Sequence, residues 1–138
     1  MPLPTLESEP GSDMHLRLVL SGAIIWLGAT ILLRIRGEYI LHADAPVWTL
    51  TLFALTFPAM ALLARWLCMK SGLEPQQWIG GAVSLVLPTL LLDPFSSAFF
   101  PFVFPNMDPR VAGVFGGWML WCCAGALAGV LIRPEKRV

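Results

Sequence analysis

Charged side chains are scarce in this chain: they make up 13% of its 138 residues, whereas hydrophobic residues make up 57%. A soluble globular domain has about 25% charged residues, so this sequence has too little polar surface to cover an exterior that faces water. Its nine basic and nine acidic side chains cancel to a net charge of zero. The sequence has no basic patch with interleaved aromatic residues, so we do not expect a nucleic-acid partner.

Cysteine and histidine are also rare, with three of the first and two of the second. Cys68, Cys122 and Cys123 have no C-x-x-C spacing, and adjacent residues on a helix point about 100° apart. His15 and His42 flank the first apolar segment on opposite sides, so they are not expected to share a haem at one depth. We therefore predict no metal site, no cofactor, no catalytic residue and no enzymatic activity.

Four long apolar segments are what the chain does contain, separated by short charged or proline-bearing connectors. A helix rises about 1.5 Å per residue, so each segment roughly matches the 30 Å hydrocarbon layer of a bilayer. The sequence predicts an all-α, integral membrane four-helix bundle that forms a single domain over residues 14–132. A flexible tail is predicted at 1–13 and a basic tail at 133–138. The predicted helices cover residues 14–34, 45–67, 75–92 and 109–132.

An acidic residue stands just before a proline at four places. These are Asp44 before Pro46, Glu74 before Pro75, Asp93 before Pro94, and Asp108 before Pro109. A carboxylate at a helix start accepts hydrogen bonds from free N–H groups and faces the positive end of the helix. Proline is favoured in the first turn. We therefore predict a helix start at each place, including a short half-helix near residues 94–100.

Asp93 is the residue whose role is most open. An ionisable group at membrane depth is costly enough to indicate function, and a carboxyl group there could carry protons or bind a cation. Alternatively, the third helix has already crossed before Asp93, which then lies at the outer interface and caps the half-helix. The length of the segment favours the capping role.

Pro58 and Pro88 fall near the middle of the second and third predicted helices. Transporters use such interruptions to expose backbone carbonyls to ions. Prolines are also common in membrane helices without that role, and this ordinary interpretation is the one we favour for both.

Small residues on the last helix form two G-x-x-x-G motifs, Gly113 with Gly117 and Gly125 with Gly129. Small residues let helix backbones approach closely in a membrane. The motifs predict close packing within the bundle or, alternatively, a dimer face.

Lysine and arginine are distributed unevenly between the predicted connectors and tails. Six lie on the side of both termini and three on the other side. Because cytoplasmic segments carry the excess of Lys and Arg, both termini are predicted to be cytoplasmic.

Four stretches of the chain resemble a family of small bacterial membrane proteins that is catalogued only as a domain of unknown function. The resemblance implies four helices and a bacterial inner membrane, and it transfers no catalytic residue. The stretches are Arg36 to Leu41, Leu92-Asp93, Phe104 to Met107, and Phe115 to Trp118.

Taken together, the sequence predicts a small multi-pass protein of the inner membrane that lacks catalysis. Its partners are the lipid bilayer and either a second copy of itself or another membrane protein, for which it would be an accessory, packing or oligomerising component. The alternative is a small transporter or channel, linked to protons or cations, that uses Asp93 and the proline-interrupted helices.

Overall fold

The computed structural model describes residues 10–132, and this part of the chain is mainly helical. Its helices are α1 (Pro10–Ile40), α2 (Pro46–Lys70), α3 (Trp78–Ala98), α4 (Phe100–Val103) and α5 (Ala112–Leu131). One 3-10 turn, Pro75–Gln77, leads into α3, and another, Pro109–Val111, leads into α5. No strand occurs among the residues described, which confirms the predicted all-α fold.

Four of these helices are long and apolar enough to cross a membrane: α1, α2, α3 with its leading turn, and α5 with its leading turn. Their outward faces carry large apolar side chains, and that of Ile24 is 70% exposed. Such a continuous apolar exterior is unfavourable in water and is suited to lipid. The predicted four-helix bundle is therefore present, with α4 as a short addition to it.

The long helices pack in the order α1, α3, α5, α2, and the most extensive contact is between α2 and α5. Although α1 and α2 are consecutive in the chain, they are not packed extensively against each other. Helices α1 and α3 run in the same direction, because His15 contacts Ser84 near their starts and Trp26 contacts Asp93 further along. In this order α3 and α5 are the two inner helices.

Two groups of buried side chains form the core, one towards each end of the bundle. The first group surrounds the turn between α2 and α3 and includes Leu18, Ala64, Cys68, Leu73, Trp78 and Ala126. The second surrounds the connector between α3 and α5 and includes Leu33, Leu41, Phe100, Phe104, Met107 and Phe115. The space between the two groups is where the candidate site lies.

Helix α1 is longer than predicted at both ends. It begins at Pro10, within the predicted tail, and continues to Ile40. Gly37 lies inside α1 against the side chain of Met107. The helix continues because the connector packs on this glycine. Residues 1–9 of the predicted N-terminal tail and residues 133–138, the predicted C-terminal tail, lie outside the described residues.

The prediction of a half-helix near residues 94–100 is wrong in its position. Helix α3 passes through Pro94 and ends at Ala98, and the separate short helix is α4, which begins at Phe100. A proline inside a helix removes one backbone hydrogen bond, and burial of Asp93 and Ser96 on either side of it favours continuation of the helix.

The four acidic residues placed before prolines do not share one role. Asp108 accepts a hydrogen bond from the Arg110 backbone N–H at 2.9 Å, as expected for a cap. At Glu74 the backbone N–H donates to the Gln77 side chain at 3.2 Å. Asp44 forms a salt bridge with the Arg110 side chain at 3.4 Å. The residue just before α2 is Ala45, and no side-chain hydrogen bond caps the helix there.

Candidate functional site

A cavity of about 210 Å³ lies in the middle of the bundle, between the two groups of core residues. All four long helices contribute to its wall. Its lining includes Trp26 and Thr30 from α1, Thr56 and Met60 from α2, Asp93 from α3, and Met119 from α5. Because α1 and α2 are not packed extensively against each other, the wall is weakest between these two helices.

Asp93 is the one residue with a formal charge that lines this cavity within the described chain. Its side chain is 8% exposed. One carboxylate oxygen, Oδ1, accepts a hydrogen bond of 2.7 Å from the indole N–H of Trp26. The second oxygen, Oδ2, is buried and has no hydrogen-bond partner among the described residues.

The position of Asp93 contradicts the capping role that the sequence favoured. The residue lies inside α3, which continues for five residues beyond it to Ala98. It therefore does not cap a half-helix at the end of the third span. Its carboxyl group is instead at the depth of Trp26, which is near the centre of α1.

Helical periodicity explains why this carboxyl group points inward. Residues three or four apart, and seven apart, lie on one face of a helix. Asp93 follows Val86 by seven residues and Thr89 by four, and all three line the cavity. An acidic residue thus stands in the stripe of α3 that faces the other helices.

The opposite wall of the cavity carries polar groups whose hydrogen bonds are made. Trp118 donates from its indole N–H to the Thr56 hydroxyl at 3.1 Å, and that hydroxyl donates to the carbonyl of Leu52 at 2.8 Å. Among the buried side-chain oxygen and nitrogen atoms described, Asp93 Oδ2 and Asn106 Oδ1 are the two without a partner. Asn106 belongs to the connector, so Asp93 supplies the unsatisfied acceptor of the cavity.

A groove of about 140 Å³ between α3 and α5 also reaches Asp93. Its lining includes Leu90 and Pro94 of α3 and Gly116 of α5. Since Pro94 has no N–H, it cannot donate to the carbonyl of Leu90, four residues earlier. Asp93 therefore lines two spaces, the central cavity and this groove.

The two prolines predicted as candidates do not join Asp93 in the cavity. Pro58 is exposed on α2, and Pro88 is buried in α3, but neither lines the cavity. Both helices continue through these residues. The residue that does contact Asp93 is Trp26, which the sequence did not distinguish from the other apolar residues of the first helix.

The two glycine motifs of α5 face different surroundings. A Cβ on Gly125 would lie 2.7 Å from the carbonyl oxygen of Phe57, and one on Gly129 would lie 2.6 Å from the Cα of Ala61. These two glycines therefore lie directly against the backbone of α2. A Cβ on Gly113 or Gly117 would meet no atom within 4 Å, so this pair is not packed against another helix of the described chain.

The remaining reactive side chains do not assemble into a metal site. Cys122 and Cys123 line the cavity, and Cys123 also belongs with Cys68 to the core group around the turn between α2 and α3. No three His, Cys, Asp or Glu residues come together as metal ligands within residues 10–132. The chemistry that the cavity offers is that of one carboxyl group among mainly apolar neighbours.

Comparison with known proteins identifies a family but gives no further guide to the site. No curated protein and no solved structure matches the chain. One family model matches residues 40–137, from the last residue of α1 to the last residue but one of the chain. The chain therefore belongs to the family described as "Family of unknown function (DUF5367)".

Proposed function

We propose that this protein is a small membrane transporter in which Asp93 binds a proton or a cation inside the bilayer. The observation that carries the proposal is the unpartnered Oδ2 of Asp93, buried in a cavity between four apolar helices. Membrane-embedded acidic residues that face a cavity commonly mark ion pathways.

An ionised carboxylate is unfavourable in an apolar interior unless a proton or a positive charge accompanies it. No Lys, Arg or His side chain lines the cavity in the described chain, and Trp26 supplies a neutral N–H. The missing partner must therefore come from outside the protein. Because a proton and a cation would compete for the same oxygen, binding of one releases the other, which is the chemical basis of exchange.

The two spaces that meet at Asp93 support the same proposal. Asp93 lines both the central cavity and the groove between α3 and α5. A binding group between two spaces can be approached from either without unfolding of a helix. Small shifts of α3 against α5 would then change which space the carboxyl group faces.

The accessory or oligomerising role is a second candidate, and a different feature favours it. Gly113 and Gly117 are exposed on α5 with open space before them, which leaves a G-x-x-x-G motif free to pack on a helix of a second copy or of another membrane protein. Gly117→Leu would then reduce cross-linking between copies without disturbing the bundle. Unchanged cross-linking would remove this face from consideration.

We also propose that the protein lies in a bacterial inner membrane with both termini in the cytoplasm. The excess of Lys and Arg on the side of the termini supports this orientation. Arg34 and Arg36, which count against it, lie in the last part of α1, where Arg34 donates to the carbonyl of Val103 at 2.6 Å. A reporter fused to the C-terminus that is active only outside the cytoplasm should remain inactive.

The transport proposal is tested by reconstitution into liposomes that enclose a pH-sensitive dye. Gradients of protons, Na⁺ and K⁺ are imposed in turn, and the wild-type protein should move protons or exchange them for the cation. Asp93→Asn should abolish this flux, because asparagine keeps an oxygen for the Trp26 N–H but cannot exchange a proton. Asp108→Asn, at an exposed site, is the matched control and should retain the flux. Equal flux in Asp93→Asn and wild type, or none in either, would favour the accessory role.

A further inference from the structure

We propose that the cavity binds a compact organic monocation, with a quaternary ammonium group beside Asp93 and an apolar body in the rest of the space. The inference rests on the proposed function for the identity of the binding group, Asp93, and it adds the chemical class of the ligand. Three properties of the cavity support it: its charge, the chemistry of its wall and its volume.

The charge of the cavity selects a monocation. Asp93 is the only formally charged residue among those described that line it. One carboxylate is neutralised by one positive charge, whereas an anion would be repelled and a dication would remain half-compensated in an apolar interior. Divalent metal ions moreover need several hard ligands, and the described residues contain no group of three that could supply them.

The wall disfavours small inorganic cations. Na⁺ and K⁺ give up their hydration shell only where several oxygens replace it. Apart from Asp93 and the hydroxyls of Thr30, Thr56 and Thr89, the wall consists of aliphatic carbon, cysteine and methionine sulfur, and aromatic rings. The Thr56 hydroxyl is already hydrogen-bonded to Leu52 and Trp118, so few oxygens remain for a dehydrated Na⁺ or K⁺. A quaternary ammonium ion is weakly hydrated and has no N–H group to satisfy, so one carboxylate oxygen is sufficient for it.

The aromatic and sulfur-containing side chains suit the same ligand. Trp26, Phe115 and Trp118 all line the cavity, and aromatic rings attract quaternary ammonium groups through their electron-rich faces. Met60 and Met119 add flexible, polarizable side chains that adapt to apolar ligands of different shape. The cavity thus combines one negative charge with surfaces that favour an apolar cation.

The volume of about 210 Å³ limits the ligand to a small molecule. An engineered apolar cavity of about 150 Å³ holds benzene, whereas drug-sized ligands occupy pockets of roughly 300–1,000 Å³. Benzyltrimethylammonium, a benzene ring with one quaternary ammonium substituent, is therefore a suitable probe. Neopentylbenzene has the same shape with carbon in place of the charged nitrogen, so it is the matched neutral ligand.

Binding is measured by equilibrium dialysis of radiolabelled benzyltrimethylammonium against the protein in lipid nanodiscs, with empty nanodiscs as the blank. Saturable binding at one site per chain is expected. The apparent Kd of neopentylbenzene as a competitor should be at least about tenfold higher than that of the unlabelled cation. Asp93→Asn should lose the binding, while Asp108→Asn should bind as the wild type does. If Asp93→Asn does not fold, the comparison of the two ligands on the wild-type protein decides the question.

The outcomes separate this inference from the transport proposal, because dialysis measures binding without flux. Equal competition by the neutral ligand, or undiminished binding to folded Asp93→Asn, would overturn the organic-cation assignment. The same assignment fails if Asp93-dependent flux of protons is found but no binding of benzyltrimethylammonium, while the transport proposal then stands. Binding that depends on Asp93 without any flux would support the ligand class and contradict transport.

Discussion

The indole N–H of Trp26 donates a hydrogen bond of 2.7 Å to Oδ1 of Asp93 and so joins α1 to α3 in the middle of the bundle. This contact fixes the orientation of the carboxyl group and leaves Oδ2 as the atom that is available to a ligand. Trp26 thus orients the carboxyl group through its N–H, while its ring lines the same cavity.

Trp26→Phe should lower the free energy of unfolding by about 1–3 kcal/mol, since a buried carboxyl oxygen loses its donor. The measurement is denaturant unfolding in detergent micelles. Trp66→Phe is the matched control, because Trp66 is about half exposed and its ring lies against the Lys70 ammonium at 4.7 Å. It should change stability by less than about 0.5 kcal/mol. Equal effects of the two substitutions would contradict a specific role for the Trp26 N–H.

The glycines of α5 provide a second matched pair. Gly129→Ala should destabilise the protein by about 1–3 kcal/mol, because the new methyl group meets the backbone of Ala61 and neither helix can yield without repacking. Gly113→Ala has open space and should leave the unfolding free energy unchanged or raise it by up to about 1 kcal/mol through helix propensity. The same unfolding assay compares both, and a destabilising Gly113→Ala would reveal a contact at that face.

The sequence predicts the number of long helices, but it does not predict where the third one ends. The number of long helices follows from the lengths of the apolar segments, which can be read directly from the sequence. Whether Pro94 begins a helix or continues one does not, because that depends on tertiary contacts around Asp93, such as the hydrogen bond from Trp26, 67 residues away. The sequence therefore identified Asp93 as a candidate but favoured the wrong environment for it.

The two glycine motifs show what helical geometry could have added. Gly113 and Gly125 are twelve residues apart, which at about 100° per residue places them roughly 120° apart around the helix. One neighbouring helix cannot pack on both motifs. The sequence thus predicts that the motifs face different surroundings, but the choice of Gly125 and Gly129 for the contact with α2 is made by the packing of the bundle.

Acid sensitivity should arise outside the membrane-spanning part, at the Asp108 cap. Hydrogen bonds from the Arg110 side chain and backbone hold the pKa of Asp108 below its ordinary value. A lowered pKa in the folded protein means that the stabilisation is fully present above the ordinary pKa of about 3.9 and is lost as the pH falls through the lower value. Asp108→Asn should therefore lessen the fall of Tm below about pH 4. The effect should be small because the pair is exposed. An unchanged fall of Tm in Asp108→Asn would contradict this assignment.

The aromatic cluster of the connector should be the most sensitive place to truncation. Phe104 is fully buried, with its ring centroid 5.1 Å from that of Phe100 and 5.0 Å from that of Phe115. Phe104→Ala should lower the free energy of unfolding by about 3–5 kcal/mol, through lost apolar burial and the cavity left behind. Phe102 lies two residues earlier and is 80% exposed. Phe102→Ala should therefore lower the free energy of unfolding by less than about 1 kcal/mol. Because Phe115 also lines the central cavity, Phe104→Ala should in addition weaken binding of benzyltrimethylammonium, whereas Phe102→Ala should not. Similar losses of stability in both variants would show that the connector is held by its surface and not by this cluster.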